Sequence, residues 1–470
     1  MSTQRKSTFN KVLTSGDLLV TAFGAMIGWG WVVSSGDWIQ SAGVLGTVIG
    51  FLLGGLMIYF VGLVYAELTT AMPQCGGEHV FSYRAFGPAG SFVCTWAIIL
   101  SYVGVVCFEA CSLPTVIQYI FPNFMQGYLY SVAGFDIYAT WLIVAVLCAI
   151  LITYINIKGV KTAAIVQTIL TVIIGAAGII LVVASATNGS SDNLQGQIFI
   201  GDSSGTQIKN ILSVATIAPF FLFGFDVIPQ VAEEINVPLK KVGRILLLSI
   251  ALAVSFYALV VFAVGYAMTP ADIMEAQSHS GLVPAAAMNK LFNSEIMAKV
   301  IIIGGMCGII TSWNSFLIGG SRAIFAMAEA RMIPAFFAKL HKKHKTPVNA
   351  LIFVGGLSVF APFWGRVMLV WISNAASFAC CMAYFIISIS FLILRKKEPD
   401  LDRPYKIKHY KTVGTIAAFL CSFMVLMYLI PGTSCSLTLQ EWIITLIWAA
   451  FGAIFAIYGK IKYKKDFCTL

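Results

Sequence analysis

The sequence predicts an all-α polytopic membrane protein of about twelve transmembrane helices. Two five-helix repeats of inverted topology are followed by two additional helices. Three observations carry this. First, 59% of the 470 residues are hydrophobic and only 11% are charged, with mean hydropathy +0.88. Soluble domains average about 25% charged residues. At about 150 residues each, three soluble bodies would lack the polar groups to cover themselves. The same figures exclude a disordered chain, and the 41 glycines show no period of three, which excludes a collagen-like one. Second, the apolar residues fall in runs long enough to cross hydrocarbon. Third, the first and sixth runs, five apart, are both interrupted at mid-depth.

A helix crosses the hydrocarbon core in about 20 apolar residues. The runs are 17–40, 44–70, 90–121, 137–157, 162–186, 207–232, 242–268, 296–327, 347–362, 367–394, 413–430 and 439–463. The ninth is short, and the third and eighth are long enough to tilt or overrun the bilayer. The chain divides into an N-terminal segment 1–16, a first repeat 17–186, a second repeat 207–394, the additional pair 413–463 and a tail 464–470. The longest outer loops are 187–206 and 269–295. The second has a short helical stretch at 284–292 that is placed to cover a vestibule.

With the N-terminus inside, 25 of the 30 Lys and Arg residues fall on inner segments and 4 on outer ones, while Arg322 lies within the eighth run. This bias places both termini in the cytoplasm of a multi-pass cell-membrane protein. It also accounts for the net charge of +10 without a nucleic-acid partner. Most of the 11 cysteines lie in apolar runs as small hydrophobes and show no metal or disulfide spacing. No cleavable signal peptide is expected. All five histidines fall in loops, and neither H-E-x-x-H nor a G-x-x-x-x-G-K-[ST] loop occurs. A membrane enzyme and a nucleotide-driven pump are therefore not expected, nor is any cofactor.

The first interruption is Gly24-Ala25-Met26-Ile27-Gly28-Trp29-Gly30-Trp31. The sixth run carries Pro219-Phe220-Phe221-Leu222-Phe223-Gly224-Phe225-Asp226 at similar depth. Unwound backbone in a bilayer is tolerated only where it is buried in protein or lines a cavity. Paired interruptions in two halves are the pattern of a transporter's central site. A half-helix N-terminus suits a carboxylate, and carbonyls released at the other break suit an ammonium group. Together they favour an amino acid zwitterion. Glycines used only for close helix packing are the alternative, but Pro219 and Asp226 add nothing to packing.

These residues resemble the amino acid/polyamine/organocation transporter superfamily. "GAMIGWGW" resembles its first-helix G-x-x-I-G-x-G-I pattern. "AELTTAMPQCGGEHVFSYRAFGPAGSF", residues 66–92, is similar to its A-E-L-x-x-x-x-P-x-x-G-G-x-x-x-Y-x-x-x-x-F-G-P block and is the most specific match. "FFLFGFDVIPQVAEEINVP", residues 220–238, resembles F-x-A-[FY]-x-G-[FY]-[DE] followed by A-E-E-x-x-x-P. Residues 321–334 and 394–407 resemble the end of the family's eighth helix and the loop after the tenth. The resemblance covers about 14–410. It implies a LeuT-like five-plus-five fold and a permease moving amino acids by alternating access, as a symporter or antiporter. A polyamine or another small organic amine is the alternative substrate, and a membrane sensor that binds without transport is the alternative of another class. Carried over, Ile27, Gly28, Trp29 and Gly30 face the substrate carboxylate. The main chain around Phe220 to Phe223 takes the amine, Gly224 belongs to the same break, and Phe225 is an aromatic gate. This chain departs from the pattern at Trp29, where a small residue is common, and in a sixth-helix segment one residue shorter. It also lacks the fifth-helix lysine of proton-coupled members, having Ile174 and Gly175 there.

Intramembrane acids are costly and functional by default. Glu109 and Asp226 are the candidates for ion coupling, and Glu109 would alternatively meet a second amine or stay neutral on the backbone. Thr311, Ser312 and Ser315 would ligate sodium with first-helix carbonyls, so the coupling ion is H+ or Na+. Glu67 reads as structural. Glu233 and Glu234 would pair with Arg322 or nearby lysines as an inner gate.

Overall fold

A computed structural model of the chain describes residues 9–365, 367–433, 435–464 and 467–468. Arg5, Lys6, Arg366 and Lys465, which contribute to the charge bias, lie outside the described residues, as do parts of the segments 1–16 and 464–470. The regular structure of the described residues is helical apart from one hairpin, Tyr128–Val132 against Phe135–Tyr138. Among these residues, ten helices are long and apolar enough to cross a membrane. The other two of the twelve expected runs form Ser204–Phe221 and the short Val348–Phe360, extended by Ala361–Trp364. The sixth run falls short as a single apolar helix because its chain leaves the helix after Phe221 and its first turns carry Thr206, Gln207, Lys209 and Asn210.

Local chemistry sets the helix ends. Thr14 and Asp17 form a reciprocal cap at the start of the first helix, Ser15–Met26. Thr269 with Asp272 and Thr438 with Glu441 do the same elsewhere. Each supplies two otherwise orphaned amides with acceptors. The second span, Val44–Ala71, starts at Gly43, whose φ of 83° lets the chain reverse. The third, Glu78–Ile120, is two helices joined at Gly87, where φ is 77°. The expected third run at 90–121 is its longer arm. The expected helix at 284–292 is present as Val283–Phe292.

Packing shows the repeat. The second span packs on the seventh (Leu239–Ala267), the third on the eighth (Glu295–Glu329), and the fourth (Ala139–Ile157) on the ninth. The third also packs on the tenth (Val367–Lys397), and its counterpart, the eighth, packs on the fifth (Val160–Asn188). The second packs on the sixth, and the seventh on the first. Advancing every span by five maps these pairs onto one another, whereas the first span's packing on the fifth and eighth has no counterpart of similar extent at the sixth among the described residues. The eleventh and twelfth spans, Tyr410–Leu429 and Leu439–Tyr463, stand outside these pairs. Large apolar side chains such as Leu56, Leu147, Ile169 and Phe451 are exposed on the outer faces. Apolar residues thus cover the outside as well as the core, which suits lipid.

The face that carries both termini is closed by buried charge pairs. Glu67, at the end of the second span, accepts from Arg395 Nη2 at 2.7 Å and from the Ile407 amide at 2.8 Å, and Arg403 Nε lies 3.1 Å from its other oxygen. This joins the block at 66–92 to the loop after the tenth span and gives Glu67 the structural place expected of it. Removing one partner of a buried pair costs about 3–5 kcal/mol, whereas an exposed pair contributes about 1 kcal/mol or less. Glu67→Ala should therefore lower the unfolding midpoint of detergent-solubilised protein sharply. Lys290→Ala, which breaks the half-exposed Lys290–Asp272 pair, should barely move it.

Candidate functional site

The first span stops being helical where the glycines begin. Ile27 closes the helix with φ −108° and ψ 81°, and helix resumes only at Gly30–Val33. The amides of Gly28, Trp29 and Gly30 have no backbone acceptor among the described residues. Neighbouring glycines let other spans close on this break. A Cβ on Gly308 of the eighth span would lie 2.5 Å from the Gly28 carbonyl oxygen and 2.8 Å from that of Ile27. A Cβ on Gly305 would lie 2.2 Å from the Trp29 ring.

In the sixth span the helix ends at Phe221, and Gly224 takes a φ of 129°. Asp226 Oδ1 accepts the Gly224 N–H at 3.0 Å, and its Oδ2 accepts the Tyr102 hydroxyl at 2.8 Å. The two breaks meet here, since a Cβ on Gly224 would be 2.6 Å from the Ala25 Cβ.

A cavity of about 240 Å³ lies where the breaks meet. At ~30 Å³ per water, it has the room of roughly eight waters, which fits one small solute. Gly28, Trp29 and Gly30 line it from the first break, and Phe220, Phe221 and Phe223 from the sixth. Glu109 and Ser312 supply polar atoms; a Cβ on Gly28 would lie 3.2 Å from Glu109 Oε1. Glu109 Oε2 is buried without a partner, and the lining holds no Lys, Arg or His. The cavity runs toward Val33, Ser34 and Ser373, away from the terminal face.

Of the residues predicted from sequence, Gly28, Trp29, Gly30, Phe220, Phe223, Glu109 and Ser312 are brought together here. Ile27 and Gly224 build the breaks without lining the cavity. Phe225 lies elsewhere than expected: it is fully buried between Tyr65 and Tyr384, with ring centroids 5.4 and 5.5 Å away. Phe223, two residues earlier, faces the cavity. The short sixth-helix segment is where that register slips. Sequence reasoning missed Tyr257 of the seventh span, which lines the cavity and donates to the Met26 carbonyl at 3.1 Å. A polar-tipped aromatic at mid-depth, which needs a partner when buried, was the available signal.

Thr311, Ser315 and Asp226 lie off the cavity. Ser315 Oγ donates to the Thr21 carbonyl at 3.0 Å and accepts from Gln167 Nε2 at 3.0 Å. Gln167 Nε2 also reaches the Val20 carbonyl at 3.3 Å, and its Oε1 accepts from Asn314 at 2.8 Å. Thr311 donates to the Gly308 carbonyl. Ser315 Oγ thus has two partners and Thr311 Oγ one, while Ser312, the third hydroxyl expected to ligate sodium, lines the cavity beside Glu109. Toward the terminal face, Arg322 Nε donates to Glu234 Oε1 at 2.8 Å in a fully buried pair. Glu233 accepts the Cys75 amide at 3.2 Å.

A family model described as amino acid permease matches residues 16–455. The branched-chain amino acid permease BcaP of Bacillus subtilis is 26% identical over 434 residues, 90% of each chain. The methylthioribose transporter of the same species is 25% identical over 478 aligned positions, covering 98% of this chain and 96% of its own. Its aspartate-proton symporter is 24% identical over 433 residues, 90% of this chain and 80% of its own.

The close fit around Gly28 yields a direct test. Gly28→Val places branched methyls against Glu109 and Ser312. It should abolish ligand binding, measured by scintillation proximity or thermal shift, while expression stays near wild type. Unchanged binding would place the site elsewhere.

Proposed function

The chain belongs to the amino acid permease family, and we propose that it is a secondary transporter moving amino acids across the cell membrane by alternating access. The observation that carries this is the cavity at the crossing of two helix breaks. The free amides of Gly28, Trp29 and Gly30 receive the substrate carboxylate, and carbonyls of the 220–223 stretch take its ammonium group. The repeats 17–186 and 207–394 each supply one broken helix. The pair 413–463 stands apart, and both termini face the cytoplasm.

The substrate is a neutral amino acid with an apolar side chain. Phe220, Phe223 and Phe316 form the wall that would hold the side chain, and the branched-chain permease among the relatives supports this choice. An acidic side chain, as in the aspartate symporter, would need a cation that the lining does not hold. A second reading, a cationic amino acid or small amine, is favoured by the unpartnered Glu109 oxygen. A sensor that binds without transport would show binding and no flux.

The coupling ion is a proton carried by Glu109, which faces the substrate with Ser312 beside it. Sodium is disfavoured because Gln167 already bridges the Val20 carbonyl and Ser315. Arg322 and Glu234 act as the inner gate.

Proteoliposomes loaded with a panel of amino acids and amines test this by counterflow and by uptake under proton or sodium gradients. Neutral apolar amino acids should exchange fastest, with a proton gradient stimulating uptake and sodium without effect. No flux of any amino compound would sink the transport reading. Glu109→Gln should flatten the pH profile of uptake; an unaltered profile would remove Glu109 from coupling.

A further inference from the structure

A second acid lies below the cavity and takes no part in its lining. Glu78 opens the third long helix and is fully buried. Its Oε2 accepts from Gln230 Nε2, while its Oε1 is buried with no partner. Gln230 Nε2 also stands 3.5 Å from the Tyr102 hydroxyl, and that hydroxyl donates to Asp226 Oδ2 at 2.8 Å. Gln230 and Tyr102 therefore connect two carboxyl groups, and all four residues are at most 1% exposed.

The surroundings hold no compensating charge. The second span contributes Tyr65, a neutral hydroxyl beside Glu78. The third contributes Cys94, Tyr102 and His79, which lies buried in the helix and not in a loop as the sequence suggested. The His79 ring bonds Ser91 at 2.8 Å, and its other nitrogen is unpartnered. The tenth contributes Cys380 and Tyr384 beside Asp226, both uncharged. The cation of the eighth, Arg322, is taken by Glu234. Among the described residues, neither Glu78 nor Asp226 pairs with Lys, Arg or His.

Two carboxyl groups linked through two buried residues, with no cation beside either, are costly to ionise together. Donor counting decides which one keeps its charge. Asp226 has a donor on each oxygen, Gly224 N–H and Tyr102 O–H. Glu78 has one donor and one bare oxygen. We propose that Glu78 and Asp226 form a carboxyl pair that holds one proton, on Glu78 Oε1, as a second proton site of the transport cycle.

The release route follows from the packing. Pro229, next to Gln230, lies against Gly77, where a Cβ would be 2.5 Å from the Pro229 Cβ. Movement of Val227–Gln230 away from Gly77 takes Gln230 off Glu78 and admits water from the terminal face. The Glu78 O–H then gives its proton to that water, leaving a carboxylate. The carboxylate regains a proton from water only in the opposite half of the cycle, when the cavity side opens, so that one proton crosses with the substrate. Asp226 ties this event to the cavity, because its other contact fixes Gly224 against the first break.

The use of the proton rests on the transport reading, but the pair itself can be tested without transport. Infrared spectra of purified full-length protein are taken at neutral pH in a Glu109→Gln background, so that Glu109 contributes nothing. The parent should show protonated-carboxyl absorption that is lost in Glu78→Gln. Glu78→Asp, a milder change, should keep the band at a shifted frequency. A parent spectrum unchanged by Glu78→Gln overturns the proposal. Should that variant not purify, a band unmoved by Glu78→Asp does the same. In proteoliposomes, Glu78→Gln should lower the protons moved per substrate, read with a pH dye, while counterflow stays near wild type. An unchanged proton count removes Glu78 from the cycle even if the pair exists. Absence of all substrate flux refutes the transport reading and leaves the infrared result standing.

Discussion

Backbone amides and carbonyls in hydrocarbon must find partners, and leaving one bare costs several kcal/mol. This chain breaks that rule twice at one depth, at 27–29 and 222–226. Much of the architecture follows from containing the damage. Gly308 lets the eighth span press against the carbonyls of the first break, and Gly224 lets the two breaks touch. Tyr257 and Asp226 then reach in from the side, one donating to the Met26 carbonyl and the other accepting from Gly224. What remains unpaired borders the cavity. The groups that a soluble protein would have hidden are left open toward it.

Charge is distributed by the same economy. On the terminal face each buried cation has an anion: Arg395 and Arg403 share Glu67, and Arg322 holds Glu234. In the middle of the molecule this balance is absent. Glu109 and Glu78 each have a buried oxygen with no partner. An unpaired acid in such a place is costly as an anion. It is stable when protonated or when a substrate brings the missing cation. The paired charges tie together the segments of the terminal face, and the unpaired acids lie where no fixed cation holds them ionised.

The fold is readable because hydropathy and backbone breaks are properties of short stretches. Twelve runs, the spacing between the interruptions and the place of Glu67 all appear in local sequence. Side-chain direction inside a break does not. Once the chain leaves helical φ and ψ, the 3.6-residue period no longer says which of Phe220, Phe221, Phe223 and Phe225 faces inward. The family pattern points to Phe225 as the gate, whereas Phe223 is the one that lines the cavity. The hairpin at 128–138 is hidden between two apolar runs. Gln167 and Glu78 are illegible for another reason: their meaning is tertiary. Gln167 matters because Val20 and Ser315 come from other helices, and Glu78 because Gln230 lies 152 residues away.

Trp29 shows how one departure from a family pattern is absorbed. A bulky indole at a position usually held by a small side chain should crowd a central cavity. Here the ring is seated on the eighth span, at Gly305, where even a methyl group would collide with it. The added volume on one helix is met by volume removed from the other, so the cavity keeps room for a solute. The wall at this point is therefore aromatic and backed by the main chain of the eighth span, which suits apolar or planar parts of a ligand. Binding groups that come from the backbone are insensitive to such exchanges. On the proposed reading, main-chain breaks hold the invariant part of an amino acid, while pairs like Trp29 and Gly305 shape the space left for its side chain.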